Sequence, residues 1–401
     1  MLRGLPTQFW FLWTGTLINR LGAFIILYLA LYLTGERGLS PAFAGLVVGL
    51  YSGGGALGVV LGGILADRWG RRPTLVTALF TAAALMVALS AAREPLMIAV
   101  CASAVGFSSE AIRPALGAMI VDVVPATDRT RAFALHYWAI NIGFAGSALI
   151  GGLAAQVDFR LLFLLDAATT AAFGVVAMLF LRESRPVLAE GSAPSTAGLS
   201  VVLRDRVYLA FLGCILAAAL VFSQPTLALP ISMSRDGLSP SMFGLVLSVN
   251  GLMIVAGQLF VPKLIGNRRP SRVIALASVI TGVGFGATAL ADTAPLYAFT
   301  VIVWTVGEML GSPSSATLLA ELSPVAHRGR YQGMFSLAFQ IAGFSAPIIG
   351  GLVQQHSGDA PLWIGCLVVC LAAAAAHLAL EPGRRRRAAE IAAGEPSAVP
   401  A

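Results

Sequence analysis

Charged residues are scarce in this sequence. Only 11% of its 401 residues are Asp, Glu, Lys or Arg, whereas 57% are hydrophobic and the mean hydropathy is +0.84. A soluble domain needs about a quarter of its residues charged to cover its surface. A soluble enzyme and a disordered scaffold are therefore excluded, and a helical protein that crosses a membrane many times remains.

Signals for catalysis and for metal binding are also scarce. The sequence has no Walker A motif, and no Ser/His/Asp or His/Glu arrangement stands out. We therefore expect neither an enzyme nor a protein driven directly by ATP, and no cofactor. No other ligand cluster accompanies the cysteines, so we expect no disulfide and no metal site. The four cysteines lie in apolar stretches, at Cys101, Cys214, Cys366 and Cys370.

Apolar stretches long enough to cross a bilayer recur along the chain. Six precede a polar linker at 182–206 and six follow it, so we predict an all-α membrane protein with two six-helix halves, 1–181 and 207–380. The basic tail, 381–401, is expected to be disordered beyond Arg387. The predicted spans are 9–33, 42–65, 74–92, 96–121, 132–157, 161–181, 207–234, 242–265, 273–291, 295–319, 331–354 and 361–380.

Basic residues fall mostly on one side of the predicted membrane. Of the 26 Lys and Arg residues, 20 lie in segments on the same side as both termini and four lie on the other side. Loops that face the cytoplasm are enriched in Lys and Arg, so we predict that both termini are cytoplasmic in a plasma (inner) membrane protein. The net charge of +7 then reflects topology and does not indicate a nucleic-acid partner.

The two halves repeat each other at an offset of 199 residues. Gly-Leu-Ser-Pro at 38–41 recurs at 237–240, and Gly-Gly-Leu at 151–153 recurs at 350–352. Ser-Pro is typical of a helix start, with Ser as the N-cap and Pro as the first helical residue. Two repeated halves around a polar linker are typical of secondary transporters that bind their substrate between the halves.

Charges within the predicted spans do not follow this repeat. Arg20, Glu110 and Arg113 have uncharged counterparts 199 residues further on. A charge at the centre of a bilayer costs about 3 kcal/mol on insertion scales. Charges placed unequally in the two halves indicate a site, and the alternative is that they lock helices together.

Carboxyl groups among these residues are candidates for carrying a proton. Glu308 is the first, because its span has no other charge near it, and Glu110 is the second, with Arg113 on the same helix face. Desolvation and a nearby arginine oppose each other at such a carboxyl, which can then change protonation near neutral pH. Asp122 is a further proton-carrier candidate. The alternative is that it forms a charge clasp with arginines at the cytoplasmic face.

Other polar residues in the spans are candidates for the substrate cavity. A single His in a membrane more often packs than relays protons, so His136 has both interpretations. Pro225 and Pro230 predict a kink in the seventh span, either as a gate or as a packing irregularity. The cavity candidates are Asn19, Arg20, His136, Asn141, Gln224 and Asn250.

The loop after the second span carries a family resemblance. Residues 63–73 read Gly-Ile-Leu-Ala-Asp-Arg-Trp-Gly-Arg-Arg-Pro, which resembles the signature G-x-L-a-D-r-x-G-r-k of the major facilitator superfamily. In that family the aspartate and the arginines form a cytoplasmic gate. The resemblance implies a twelve-helix transporter fold, and it assigns the gate to Gly63, Asp67, Arg68, Gly70, Arg71 and Arg72.

Shorter stretches resemble proton-coupled drug exporters within that family. Arg113 and Gly117 match a helix-4 motif whose arginine takes part in coupling, and 143–152 is similar to the antiporter motif of helix 5. Tyr-Trp-Ala-Ile-Asn at 137–141 and Gly-Glu-Met at 307–309 resemble the multidrug/proton antiporters of the lactococcal LmrP type. Those proteins have Asp before the Tyr-Trp pair, where this chain has His136.

Together these features predict a secondary active transporter that works by alternating access. We expect it to export small lipophilic or amphipathic compounds in exchange for protons, as a monomer in a lipid bilayer. One alternative is a proton symporter that imports a small anionic nutrient or peptide, bound by Arg20 and Arg113. A lipid flippase is another. A channel would lack buried ion pairs, and a membrane enzyme would need a nucleophile or a metal cluster.

Overall fold

Helices account for all the regular structure in the part of the chain that the structure describes, residues 4–184, 200–258, 260–324 and 327–394 of a computed structural model. Within those residues, twelve helices are long and apolar enough to cross a membrane, which confirms the predicted number. The first half contains α1 (Thr7–Glu36), α2 (Pro41–Arg68), α3 (Arg71–Ala91), α4 (Pro95–Val123), α5 (Arg129–Val157) and α6 (Phe159–Phe180). The second half contains α7 (Arg206–Phe222), α8 (Pro240–Gly257), α9 (Pro270–Ala287), α10 (Ala294–Leu322), α11 (Arg328–His356) and α12 (Asp359–Ala379), and α13 (Glu381–Gly394) follows it.

The two Ser-Pro sequences begin helices in both halves, as predicted. The Ser40 hydroxyl accepts a hydrogen bond of 3.2 Å from the backbone N–H of Phe43 at the start of α2. In α8 the Ser239 hydroxyl accepts one of 3.4 Å from the N–H of Met242. Each hydroxyl satisfies a backbone donor that the first helical turn leaves unpaired. The repeat in the sequence is therefore a repeat in the structure.

Breaks interrupt the first and seventh spanning segments, and in the predicted span 242–265 helix α8 ends at Gly257, before a separate short helix over Val261–Ile265. The predicted kink after α7 is present, where a 3-10 turn over Gln224–Thr226 leads into the short helix Ala228–Arg235. The first span also breaks, because α1 is α-helical over Thr7–Leu21 and again over Ile25–Leu31. This second break was not predicted, since the first span contains no proline at that point.

Ion pairs mark the two ends of the helix bundle. At one end of the bundle α4 ends, the linker starts and α11 begins; we call this end the linker face. There Arg71 Nη1 lies 3.0 Å from Asp122 Oδ2. At the other end, which we call the far face, Arg235 Nη1 lies 2.7 Å from Asp359 Oδ1. The spanning helices therefore run between the linker face and the far face, and each face carries its own set of loops.

Glycines hold the two halves together toward the far face. Helix α2 packs against α11, and α5 packs against α8. A Cβ atom at Gly45 would overlap the carbonyl oxygen of Pro347, and one at Gly244 would overlap that of Ala148. The two contacts are equivalent at the offset of 199 residues, since Gly45 corresponds to Gly244 and Ala148 corresponds to Pro347. Small residues allow backbones to approach this closely, so matching contacts close the far face.

The C-terminal tail is partly helical. The expectation of disorder beyond Arg387 does not hold for residues 388–394, because α13 continues to Gly394. Arg387 Nε lies 3.2 Å from Asp205 Oδ2 at the start of α7, which ties α13 to the second half. Residues 395–401 and the linker residues 185–199 lie outside the described part of the chain, so that part of the prediction remains a prediction.

Candidate functional site: a cavity open at the linker face

A cavity of about 1080 Å³ lies between the halves, mainly within the second one. Its walls are largely apolar, with Phe144, Phe222 and Trp304 among the aromatic side chains. It extends to Arg328 and Gly329, which are exposed at the start of α11. The cavity is therefore open toward the linker face, while the glycine contacts close the far face.

Glu308 is the acidic residue in the cavity wall. Asn250 uses both protons of its side-chain amide, donating 2.8 Å to Glu308 Oε2 and 3.0 Å to Thr305 Oγ1. The Thr305 hydroxyl in turn donates 2.6 Å to the carbonyl oxygen of Val301. No described residue forms an ion pair with Glu308. The structure thus holds a carboxyl with one amide donor in a mostly apolar cavity, and its role as a proton carrier remains a prediction.

The charged residues of the first half form a separate group. Arg113 Nη1 lies 2.9 Å from Glu110 Oε2 on the same face of α4, as their spacing predicts, and the Arg113 side chain is 59% exposed. Arg20 packs with its Cβ atom against Gly143 of α5. An exposed guanidinium in the middle of a span must face water rather than lipid tails. None of these three residues lies in the cavity wall described above.

Helix α5 lies between the two charged groups. On one side Gly143 of α5 packs against Arg20, and on the other Asn141 of α5 lines the cavity that holds Glu308. The Nδ1 atom of His136 is buried and has no hydrogen-bond partner in the described part of the chain. His136 is therefore placed between the predicted coupling residues of the two halves, outside the cavity wall.

Several predicted cavity residues have other positions. Asn141 and Asn250 do line the cavity, and the amide of Asn141 donates 2.8 Å to the carbonyl of Tyr137. Asn19 and Gln224 do not line it, contrary to the prediction. Asn19 donates 2.8 Å to Thr170 Oγ1, and Gln224 donates 3.2 Å to the carbonyl of Ala346. Buried amides need partners, and these two find them between helices.

Asp166 is a residue to which sequence reasoning assigned no role. It is 3% exposed in α6, and its carboxylate accepts hydrogen bonds of 3.2 Å from the backbone N–H of Ile25 and 3.5 Å from the Thr170 hydroxyl. Ile25 begins the second part of α1, so this carboxylate caps the helix after the break. A single Asp in the apolar sixth span is the signal that could have indicated it.

The gate motif links three helices at the linker face. Asp122 of α4 pairs with Arg71 and accepts 3.0 Å from the Ser184 hydroxyl, so this proton-carrier candidate lies in a clasp outside the cavity wall. Glu183 accepts hydrogen bonds of 3.0 and 3.2 Å from the backbone N–H groups of Arg71 and Arg72. Gly70 has φ +123°, a backbone conformation that favours glycine.

The first part of that motif is disengaged. Asp67 and Arg68 are exposed, and neither forms a hydrogen bond or an ion pair with any described residue. Gly63 also belongs to this part of α2, where a Cβ atom would make only ordinary contact with Pro114.

Twelve spanning helices in two repeated halves, with a cavity open at one face, define a multi-pass membrane transporter. A sequence model of the Major Facilitator Superfamily matches residues 12–347 and 225–400. The chain belongs to this superfamily, in agreement with the resemblance of residues 63–73. The resemblance to the LmrP type is not tested by this match.

Relatives that match most of the chain carry transporter names. The chain is 28% identical over 371 residues to the uncharacterized MFS-type transporter YttB of Bacillus subtilis, covering 91% of this chain and 92% of that protein. It is 25% identical to the multidrug resistance protein MdtH of Aeromonas hydrophila, with 87% and 88% covered. It is 24% identical to a Na(+), Li(+), K(+)/H(+) antiporter of Planococcus maritimus, with 80% and 83% covered.

Proposed function

We propose that this transporter exports small lipophilic or amphipathic compounds in exchange for protons. The observation that carries the proposal is the placement of Glu308, a carboxyl without an ion-pair partner among the described residues, in a large and mostly apolar cavity. Such cavities suit ligands that bind mainly through apolar area and a few polar contacts. The name of the MdtH relative supports export of such compounds, and the name of the antiporter relative supports exchange for protons.

Exchange follows from the cost of an unpaired charge. A carboxylate in apolar surroundings is expensive unless it is protonated, solvated or paired. When the cavity opens to the far face, a proton neutralises Glu308 and allows the empty transporter to return. At the linker face Glu308 releases the proton, and the substrate with its accompanying water enters the cavity. Protons then enter the cell and substrate leaves it in alternate steps, because both steps depend on the protonation of Glu308.

Alternating access requires the far face to open. The contacts of Gly45 with Pro347 and of Gly244 with Ala148 would have to separate, and the linker face would have to close. We assign closure of the linker face to Asp67, whose side chain is exposed in this conformation. The excess of basic residues makes the linker face cytoplasmic. In this orientation the structure corresponds to the inward-open state.

Reconstitution with imposed ion gradients tests the proposal. Proteoliposomes that hold the purified chain are given a panel of neutral, cationic and anionic amphipathic dyes under a pH gradient or a sodium gradient. We expect a pH gradient to drive dye transport, and Glu308→Gln to abolish that drive while dye-for-dye exchange continues. Glu94→Gln, an exposed acid at the start of α4, is the matched control.

Other results of the same assay would contradict the proposal. Transport driven by sodium alone would exclude proton coupling. Uptake together with protons, restricted to anionic compounds, would favour the symporter, and movement of labelled phospholipid would favour a flippase. Proton-driven transport that persists in Glu308→Gln would remove Glu308 from the mechanism.

A further inference from the structure

Arg384 of α13 is buried without a counter-charge. Its side chain is 1% exposed, although it follows the last spanning helix. Its guanidinium donates 2.8 Å to His377 Nδ1, lies 5.4 Å above the ring of Phe211, and makes a 3.7 Å contact with Cys214 Sγ. Its Nε atom is buried and has no hydrogen-bond partner among the described residues. No described carboxylate pairs with it.

Other charges in α13 are paired or exposed, which sets the buried Arg384 apart. Glu381 pairs with Arg269 at 2.9 Å and with Arg272 at 3.2 Å. Arg387 pairs with Asp205 at 3.2 Å. These pairs connect α13 to the starts of α9 and α7 without involving Arg384. Burial lowers the pKa of Arg384, yet an arginine keeps its proton at physiological pH.

His377 connects this charge to the cavity. Because its Nδ1 accepts a hydrogen bond from Arg384, the neutral ring carries its proton on Nε2. The side chain of His377 lines the cavity near the linker-face end of α12. The ring in the cavity wall therefore carries an N–H donor on Nε2, polarised by the guanidinium that is bound to its Nδ1.

Arg328 adds a second positive group at the same end of the cavity. It lies at the first residue of α11, is exposed, and lines the cavity mouth. It forms no ion pair with any described residue. The cavity thus has basic groups toward the linker face and the acidic Glu308 midway along α10. If the basic groups held the anionic group of a compound, the hydrophobic part of that compound would contact the apolar walls.

We propose that His377, backed by Arg384, and Arg328 form a subsite for a carboxylate group of the transported compound. The substrate class is then an acidic amphipathic compound with an aromatic or aliphatic body. This assignment rests on the proposed function and specifies its substrate. A carboxylate accepts hydrogen bonds readily from an N–H donor that carries or borders a positive charge.

A matched pair of ligands tests the subsite. Naphthalene-2-carboxylate and naphthalene-2-carboxamide share one aromatic body and differ in charge. Their dissociation constants are measured on the full chain in nanodiscs, with empty nanodiscs subtracted. We expect the acid to bind at least tenfold more tightly than the amide. In His377→Leu and Arg384→Gln the two constants should approach each other through weaker acid binding alone, because only Arg328 then remains to favour the acid.

Two further variants keep the test independent of folding. His377→Gln should retain most of the preference, because an amide accepts from Arg384 and donates into the cavity. Arg328→Gln, at an exposed position, should reduce the preference in part. Equal binding of acid and amide to the wild type would overturn the subsite. A preference that stays at the wild-type level in both folded His377→Leu and folded Arg328→Gln would overturn it as well.

The same preparations separate this inference from the proposed function. If a pH gradient drives transport of neutral dyes but the wild type does not prefer the acid, the subsite is wrong and proton-coupled export stands. If the acid preference depends on His377 but no pH gradient drives any transport, the subsite stands and proton-coupled export is wrong.

Discussion

Asn250 of α8 donates a 2.8 Å hydrogen bond to Glu308 of α10, and its other amide proton is bound to Thr305. The amide is buried, so both of its protons are used within the protein. This arrangement fixes the Glu308 carboxyl against one wall of the cavity. A group that must gain and lose a proton at each cycle is thereby held in one position.

Replacing this amide should impair coupled transport more than it impairs folding. Asn250→Leu removes a hydrogen bond to a carboxylate, which is worth about 1.5–3 kcal/mol. We expect the rate of proton-driven transport to fall by about tenfold or more, as measured in proteoliposomes. Thr305→Val, which removes the neighbouring hydroxyl but keeps the bond from Asn250 to Glu308, should lower the rate by less than threefold. Equal rates in wild type and Asn250→Leu would show that the bond does not matter for coupling.

The glycine contacts at the far face predict a second effect. In Gly244→Ala the added Cβ atom would overlap the carbonyl oxygen of Ala148, which prevents α5 and α8 from closing. We expect transport to fall at least tenfold while the amount of protein in the membrane remains near wild type. Gly365→Ala is the control, because a Cβ atom there meets no atom within 4 Å. Similar losses in both variants would indicate a general effect on the helices.

Local features of this protein could be predicted from its sequence. The number of spans follows from apolar length, and the starts of α2 and α8 follow from Ser-Pro, because a helix cap depends on residues three positions apart. The sequence also predicts that Glu308 lies within a spanning helix, since it is the single acid in its apolar stretch.

Features that depend on distant partners could not be predicted. Asn19 and Asn250 are both amides in apolar spans, yet one bonds to another helix of the first half and the other bonds to Glu308. The break in α1 depends on Asp166, which is 141 residues away from the N–H that it caps. In the sequence Arg384 is one of several arginines in the basic tail, and only its packing reveals that it is buried.

Asp122 offers a test of the gate motif against the coupling mechanism. Its ion pair with Arg71 lies at the linker face, outside the cavity wall. Asp122→Asn should therefore slow transport, because the clasp between α3 and α4 is weakened, without changing the number of protons exchanged per substrate. The measurement is the substrate gradient that a fixed pH gradient sustains. A smaller sustained gradient in Asp122→Asn would return this residue to the coupling machinery.

Asp166 should contribute to stability through the break in α1. Asp166→Ala leaves the buried N–H of Ile25 without its acceptor, which costs about 1–3 kcal/mol. We expect a clear drop in the thermal unfolding temperature in detergent, followed by intrinsic fluorescence. Asp158→Ala, which removes an exposed cap at the start of α6, should have a smaller effect. If the two variants unfold at the same temperature, the capping role of Asp166 is not significant.

The contact between Glu381 and two arginines predicts how α13 responds to acid. Burial of Glu381 would raise its pKa, but hydrogen bonds from Arg269 and Arg272 outweigh that effect and hold the pKa below its usual value of 4.5. A carboxyl with a lowered pKa stabilises the folded state above its unfolded pKa, and this contribution is lost as the pH falls through the folded pKa. Wild type should therefore unfold at a higher temperature than Glu381→Gln at pH 7, and the difference should shrink below pH about 4.5.

Glu390→Gln is the control for that comparison, because Glu390 is exposed and its pairs with Arg386 and Arg387 lie within α13. Surface pairs of this kind contribute about 0–1 kcal/mol, so this variant should unfold close to wild type at both pH values. A difference between wild type and Glu381→Gln that stays constant from pH 7 to pH 4 would contradict the assignment. In that case the glutamine would be acting through packing, and the charge of Glu381 would not be what docks α13 against the start of α9.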